Sequence, residues 1–448
     1  MESATPSSPY STRPYKRGRA LVMAEAAVEY FIHLCVTTTF LTAILNEMEV
    51  DASLQGLIGA ITSLACIAQL LAVFRVKKTY PCKRWVSLLN LVSQLLFTLL
   101  YLMPLSPLTP ALRLGCFSGL LLAAYLCQHY LTPSRVNWQM ALVDDNKRGS
   151  FTAKKEIISL AGGMVFSQTA GILLDHFKAK GDMRTCFFLF IAVITVLSIL
   201  HLVIMLMTAE PVPEKKPPVK SFREILAIVG GSRDLRRVIL FDTLYAVSCI
   251  SIHYYTVYLT NTWNCSYTYI TAVAVGHACF RALVSPFLGR LADRRSWAYM
   301  LRICMLVMAG GYLIFAAASA TTVLWLYPLF SLCYAFSMGG SNAGRTNLCL
   351  DYVTREDRRY ILGIQSSISG VVSFLCTIPV ARFVGWLEGR GNTLFGVTVY
   401  PQQVLFVISS LTLILLALCF LPKLSRPVRV TAGVTADESV SESAATNS

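Results

Sequence analysis

Apolar stretches of about 20 residues follow one another along nearly the whole chain, separated by short polar turns. As a helix, such a stretch rises about 1.5 Å per residue and crosses about 30 Å of hydrocarbon. Lipid offers backbone amides and carbonyls no partner, so only helices and closed barrels span it. These runs lack the two-residue alternation of barrel strands, which leaves helices. Buried helices of a large soluble core would need far more polar chain to cover them. Only 14% of the residues are charged, against about a quarter in soluble domains, and the mean hydropathy is +0.58. The chain is therefore expected to be an all-α polytopic membrane protein.

Twelve spans are predicted, at 20–44, 51–74, 85–103, 113–134, 153–175, 185–207, 237–260, 267–289, 297–319, 322–343, 360–382 and 402–422. The first lacks a small-residue cleavage site and reads as a retained anchor rather than a signal peptide. With the N-terminus in the cytoplasm, 32 of the 39 Lys and Arg residues fall in or beside cytoplasmic segments. Six fall outside, and Arg281 lies within a span. The positive-inside rule thus places both termini in the cytoplasm. The net charge of +15 is spread over these loops rather than gathered with aromatics on one face, so no nucleic-acid partner is expected. Most of the 14 cysteines lie inside spans and act as small apolar residues; a Cys186–Cys265 bond is not expected. No metal-ligand spacing, no P-loop and no nucleophile–base arrangement is evident, so neither a cofactor nor an enzyme is expected.

The chain divides in the middle. Residues 208–236 form the longest interior polar segment, opening with prolines and lysines and continuing into SFREILAIV, which reads as a short amphipathic helix on the membrane face. Six spans precede it and six follow. Arg135-Val-Asn137 at the inner end of span four reappears as Arg345-Thr-Asn347 at the inner end of span ten, and Arg148 and Arg358 repeat at the same offset of 210. Acidic residues lie between the arginines each time (Asp144 and Asp145; Asp351, Glu356 and Asp357). The match argues for duplicated halves. The expected organisation is a cytoplasmic tail (1–19), a six-helix bundle (20–207), a linker (208–236), a second bundle (237–422) and a disordered tail (423–448).

GRLADRR, residues 289–295, joins spans eight and nine. Twelve spans in two halves, a basic central linker and this loop resemble the major facilitator superfamily of secondary transporters, over about residues 18–422. Gly289, Leu291, Ala292, Asp293 and Arg294 match the family's loop pattern, whereas Ser296 and Trp297 depart from it, and the equivalent first-half loop, FRVKKTYPCKRW, keeps only the positive charge. The resemblance implies that the loop ties helix ends together on the cytoplasmic side. Gly289 would allow a tight turn, Asp293 would sit at the start of span nine where the helix dipole favours an anion, and Arg294 would reach another helix end. Arg135 and Arg345 are expected to belong to the same cytoplasmic gate. The alternative is a merely solvated basic loop.

Charged groups inside spans are costly and are function candidates by default. Glu25, Glu29, His33 and Thr37 recur every four residues on span one, forming a polar stripe that drifts about 40° per step. Asp242 and His253 on span seven, eleven residues apart, would share a face about 16 Å apart on a continuous helix. Gln128 and His129 lie in span four, and His277 and Arg281 in span eight. The resemblance implies a central cavity lined by spans one, four, seven and ten, flanked by two, five, eight and eleven, which places these residues along a substrate or proton pathway. Glu29 and His33 could instead be a hydrogen-bonded pair that locks helices, Arg281 could hold a helix end, and Asp242 could belong to the first turn of span seven. His201, in span six, reads as a structural hydrogen bonder.

The expected function is secondary active transport of a small solute by alternating access, coupled to protons, by a monomer in the plasma membrane, resembling uncharacterised bacterial permeases. A non-transporting membrane sensor or scaffold on the same fold is the alternative; the short tails offer it no soluble domain. Spans five and eleven lack the Gly-Pro pair of drug–proton antiporters, and PVPEKKPP is a poor match to the sugar-porter signature. A thiol reagent added from outside is expected to modify cysteines placed at Asn261 or Gly391 and to spare one at Lys216. Strong external labelling at Lys216 overturns the orientation.

Overall fold

The computed structural model describes residues 10, 12–75, 81–144, 148–211, 220–354, 356–394 and 396–424. Outside them lie nearly all of the N-terminal tail before Thr12, Asp145, the Pro/Lys-rich start of the linker with Lys216, and the C-terminal tail from 425. Arg148 opens a helix, but its side chain is likewise outside the described set.

The first rod is α1 (Arg13–Leu34) followed by α2 (Thr38–Glu47). The second is α3 (Ala52–Gly59), α4 (Ile61–Ala65) and α5 (Ile67–Arg75). Then come α6 (Lys83–Leu100), α7 (Pro110–Met140), α8 (Arg148–Ala179) and α9 (Met183–Met207). The linker folds into α10 (Phe222–Gly231), closed by a reciprocal cap in which Ser221 and Glu224 each accept the other's backbone N–H, at 3.3 and 3.2 Å. Before it, Lys220 pairs with Asp357 at 2.6 Å, which holds its ammonium above the usual lysine range. The remaining rods are α11 (Arg233–Ser248) with α12 (Tyr255–Val257), α13 (Tyr267–Arg294), α14 (Trp297–Ala316), α15 (Val323–Leu350), α16 (Arg358–Glu388) and α17 (Pro401–Leu415). A small hairpin of β1 (Thr393–Leu394) and β2 (Val397–Thr398) precedes α17.

Ten of these rods are long and apolar enough to cross a membrane. The other two expected spans are α6, only 18 residues long and interrupted by Asn90 and Gln94, and the broken rod from α11 to α12. Apolar cores form on either side of the linker. One gathers Val28 to Ile204 with Tyr267, the other Ile225 to Leu424 with Val73. The linker, Tyr10 near the end of α7, and Leu424 against Tyr352 mark one face, here the linker face. The opposite end is the far face.

Three expectations need correction. Span one is not one helix. α1 stops at Leu34, and the chain turns before α2 begins at Thr38, whose φ is +40°. A run of β-branched residues and the Thr37 hydroxyl, which donates to the His33 carbonyl at 3.0 Å, weaken the helix there. Span seven also breaks: α11 ends at Ser248, a 3-10 turn covers Ile250–His253, and a π turn covers Tyr258–Thr262. Asp242 and His253 therefore do not share a continuous helical face. Finally, GRLADRR is mostly helix. Gly289 lies inside α13 and makes no turn; the turn is at Arg295–Ser296, where the Ser296 hydroxyl caps Tyr299 N at 3.1 Å. Asp293 sits at the carbonyl end of α13, not at the start of α14, and there the helix field disfavours an anion while favouring Arg294. Both are exposed, and among the described residues neither pairs with another helix.

Helices from the two cores approach through small residues. A Cβ at Gly370 of α16 would stand 2.2 Å from the Ser63 carbonyl oxygen, a backbone atom with no room to swing away. Gly370→Val is expected to cost about 1–3 kcal/mol, seen as a lower thermal unfolding midpoint of the purified protein. Gly310→Ala, with nothing within 4 Å, is expected to leave the midpoint unchanged or higher.

Candidate transport site

Two carboxylates one turn apart on α1, Glu25 and Glu29, face α7. There the Arg135 guanidinium donates to Glu29 Oε1 and lies 3.9 Å from Glu25 Oε1. Gln139, one turn further along α7, donates to the other Glu25 oxygen. On the opposite side His201 Nε2 of α9 lies 3.3 Å from Glu25 Oε1. Its Nδ1 meets the amide nitrogens of Gln94 and, at 3.0 Å, Asn90 on α6. An amide donating to Nδ1 leaves the ring proton on Nε2, facing Glu25; Nδ1 has one lone pair and takes one such donor at a time. Glu25 and His201 are buried, whereas Glu29 and Arg135 are 22% and 14% exposed at their side chains, so only this outer pair touches solvent. Oxygen and nitrogen atoms of Glu25, Glu29 and His201 lie within 4.8 Å of one another, a spacing that suits a cation. Arg135 supplies that positive charge itself.

The second half repeats the device. Arg345 of α15 donates to Asp242 Oδ1 at 2.9 Å and lies over the Tyr245 ring at 4.4 Å, and Ser369 of α16 donates to Asp242 Oδ2 at 2.7 Å. Asp242 lies well along α11 rather than in its first turn, and it is buried. Arg135 and Arg345 are thus ion-pair partners inside the helices, not members of one cluster with Asp293 and Arg294.

The other predicted residues scatter. Glu29 pairs with Arg135 rather than His33, whose ring stands edge-on to Tyr125 at 6.1 Å. His129 Nδ1 meets Gln69 Nε2 at 2.9 Å, while the backbone carbonyl of Gln128 accepts from the Thr132 hydroxyl at 2.6 Å. His277 Nδ1 lies 3.1 Å from the Ser331 carbonyl, and Arg281 donates to Glu156 of α8 at 2.8 Å, so these two do not form a pair. Gln139, Asn90, Gln94, Gln69, Glu156 and Ser369 were missed, although Asn90 and Gln94, four residues apart in an apolar span, were a readable signal. His201, expected to be a structural hydrogen bonder, is buried and makes its bonds within this cluster, to Glu25 and to the Asn90 and Gln94 amides.

Beyond the charged layer, toward the far face, a cavity of about 150 Å³ lies between the α1–α2 break, α3–α4, α7 and the turn after α11. His253 and Gln55 are in its wall. Contacts across the two halves close it on the far side. The Tyr254 ring fills the space a Cβ at Gly56 would need, and Asn46 Nδ2 donates to Tyr267 OH at 3.4 Å. The Asp175 carboxylate of α8 accepts the first two backbone N–H groups of α13, from Tyr267 at 2.9 Å and Thr268 at 2.6 Å.

Residues 26–377 match the Major Facilitator Superfamily, and the chain belongs to that family. No curated protein matches it in sequence. Solved structures share the fold at low identity. A crystal structure of a mutant of the nucleoside transporter NupG has a TM-score of 0.68 at 13% identity, covering 90% of this chain and 99% of that one. A D-xylose–proton symporter has 0.65 at 12%, covering 92% and 99%. A bacterial homologue of the human lysosomal transporter Spinster, inward-facing and occupied, has 0.65 at 13%, covering 93% and 98%. The protein is accordingly an integral membrane protein of a transporter fold.

Removing one partner of a largely buried ion pair leaves the other uncompensated. Arg345→Ala is expected to destabilise by about 2–3 kcal/mol, at the low end for buried pairs because its side chain is 26% exposed. Adding Asp242→Asn should recover most of that loss. A double-mutant cycle on thermal unfolding checks it: strictly additive losses would mean that the two side chains do not interact.

Proposed function

We propose that this chain is a secondary active transporter that moves a small solute by alternating access, coupled to protons through Glu29. One observation carries the reading: a carboxylate on the first rod of each half is paired with an arginine on the fourth, Glu29 with Arg135 and Asp242 with Arg345. A charge pair at membrane depth is expensive and repays its retention when the charge state changes during function. Protonating Glu29 removes one counter-charge from Arg135 and leaves Glu25 as its remaining partner. That alters the free-energy difference between two conformations, which is what coupling requires.

The bundles bounded by 20–207 and 237–422 are the moving bodies in this reading, and the linker face is cytoplasmic, with both termini, in the plasma membrane of the cell. The chain works as a monomer among lipids, with a small solute and a proton as its ligands. The far face is sealed by Tyr254, Tyr267 and Asp175, while Glu29, Arg135 and Arg345 keep partial exposure, which corresponds to an inward-facing state. The named activities of the xylose–proton symporter and the nucleoside transporter support the transport class, though only through the shared fold.

Glu29→Gln keeps the shape of the side chain and removes its titration. In proteoliposomes it is expected to abolish accumulation driven by an imposed pH gradient while leaving binding and solute exchange measurable. If the variant still concentrates solute at the wild-type rate, Glu29 is not the coupling group and Asp242 takes its place. If Glu29 were merely a structural pin, the variant would lose stability and retain coupling.

A further inference from the structure

On the far face, α16 of the second half ends beside the start of α3 of the first. The two helices run antiparallel there, and a Cβ at Gly385 would stand 3.4 Å from the Ser53 hydroxyl. Glu388, a turn beyond Gly385, is the last residue of α16, and Asp51, just before Ser53, is the cap residue of α3. Both steps lead toward the far face, so two carboxylates from opposite halves come together at the seam. Tyr254, whose ring seals the seam at Gly56, donates its hydroxyl to the Ser53 carbonyl at 3.5 Å in the same place. Among the described residues no ion pair includes either acid.

The two helix ends differ electrostatically. A helix N-terminus favours an anion and a C-terminus disfavours one, so Asp51 keeps its charge and Glu388 is the member that takes a proton. Glu388 also lies past the end of the predicted span at 382, and is half-buried where Asp51 is exposed. Burial holds it above the usual carboxylate range; a hydrogen bond from Gln402 of α17 opposes this, and the facing Asp51 carboxylate adds to it. The remaining neighbours bring no cation into the seam. The Tyr254 phenol is next to Glu388, Arg390 lies over the Trp386 ring at 4.2 Å, Arg382 is exposed further back on α16, and Glu49 before α3 is another acid. Gln402 is itself buried, and its Oε1 has no hydrogen-bond partner. No water reaches that oxygen, but a half-turn of the amide lets it accept the O–H of a protonated Glu388. The amide thus serves both states of the carboxyl.

We propose that Asp51 and Glu388 form a proton-operated seal on the far face: a proton on Glu388 lets the two halves close there, and its loss sets two carboxylates against each other and parts the seam. A closed seam offers Glu388 little water and a nearby like charge, whereas a parted seam hydrates it. The closed state therefore binds the proton more tightly. Its advantage is complete at low pH and is lost as the pH on that side rises through the Glu388 titration. The proposal rests on the transporter reading in one respect, that the halves part on the far face, and gives that movement a control.

Dyes attached to azidophenylalanines at Lys180 and Thr398, both exposed and in opposite halves, report the far-face separation of the full chain in nanodiscs. Single-molecule energy transfer should show the parted population growing at least about threefold between about pH 5 and about pH 8. Glu388→Gln should remove that response and hold the closed population at its low-pH level. Asp51→Asn, which leaves one carboxylate at the seam, should blunt it. Asp51 is exposed, so its variant is the arm that stands if Glu388→Gln folds poorly. A parted population that ignores pH, or an unchanged response in either variant, overturns the seal and spares the transporter. Closure that strengthens as pH rises also overturns it, because that is the response of the Asp175 cap, whose carboxylate accepts the α13 N–H groups. No parted population at any pH, even in Asp175→Ala, overturns both readings.

Discussion

The arginine held between two carboxylates in the first half, and its single-carboxylate counterpart in the second, organise the interior. A lone charge at membrane depth costs several kcal/mol, so each must find its opposite within the chain. Arg135 therefore pins α7 to α1, and through Glu25 the tie extends to Gln139 and to His201 on α9, which is steadied by Asn90 and Gln94 on α6. Arg345 ties α15 to α11, and Ser369 brings in α16. These bonds lie within each core. Helices of the two halves also pack through small residues, as at Gly370 of α16 against Ser63 of α4 and Gly363 of α16 against Val73 of α5. Polar ties also cross between the halves, from Glu156 and Asp175 of α8 to Arg281 and the N-terminus of α13, and these must break if the two bodies move against each other.

The backbone is irregular where the cavity needs it. Both the α1–α2 rod and the α11–α12 rod break partway along, and residues at both breaks enter the cavity wall. At membrane depth such breaks survive only where the loosened groups find partners in protein or line a cavity. Here the Thr37 hydroxyl takes the His33 carbonyl and the Ser248 hydroxyl takes that of Tyr245. The result is a layered interior, with paired charges toward the linker face and uncharged hydroxyls beyond them.

Closure on the far face relies on exchangeable bonds. Asp175 completes the N-terminus of a helix belonging to the other half, satisfying two N–H groups that α13 cannot satisfy itself. If the halves part, water replaces the carboxylate. Such an exchange has a small net free energy, which suits a seal that must open.

The sequence carried the membrane class, most span positions, a short helix in the linker and the repeat marked by Arg135 and Arg345. Each of these is local: apolar transfer free energy accumulates along a stretch, and a repeated motif is read from the order of residues alone. Glu25, Glu29 and Asp242 were legible as candidates because a charge in an apolar run stands out. Their partners were not. Glu29 had a neighbour one turn away in His33 yet pairs with an arginine 106 residues on, and His201 meets Glu25 from a span that family architecture treats as outlying. Leu-Ala-Asp-Arg continues a helix more readily than it forms the turn expected at Gly289. Which helix faces meet is set by packing among all the rods at once. The pairing of charges and the cavity therefore belong to the tertiary structure alone.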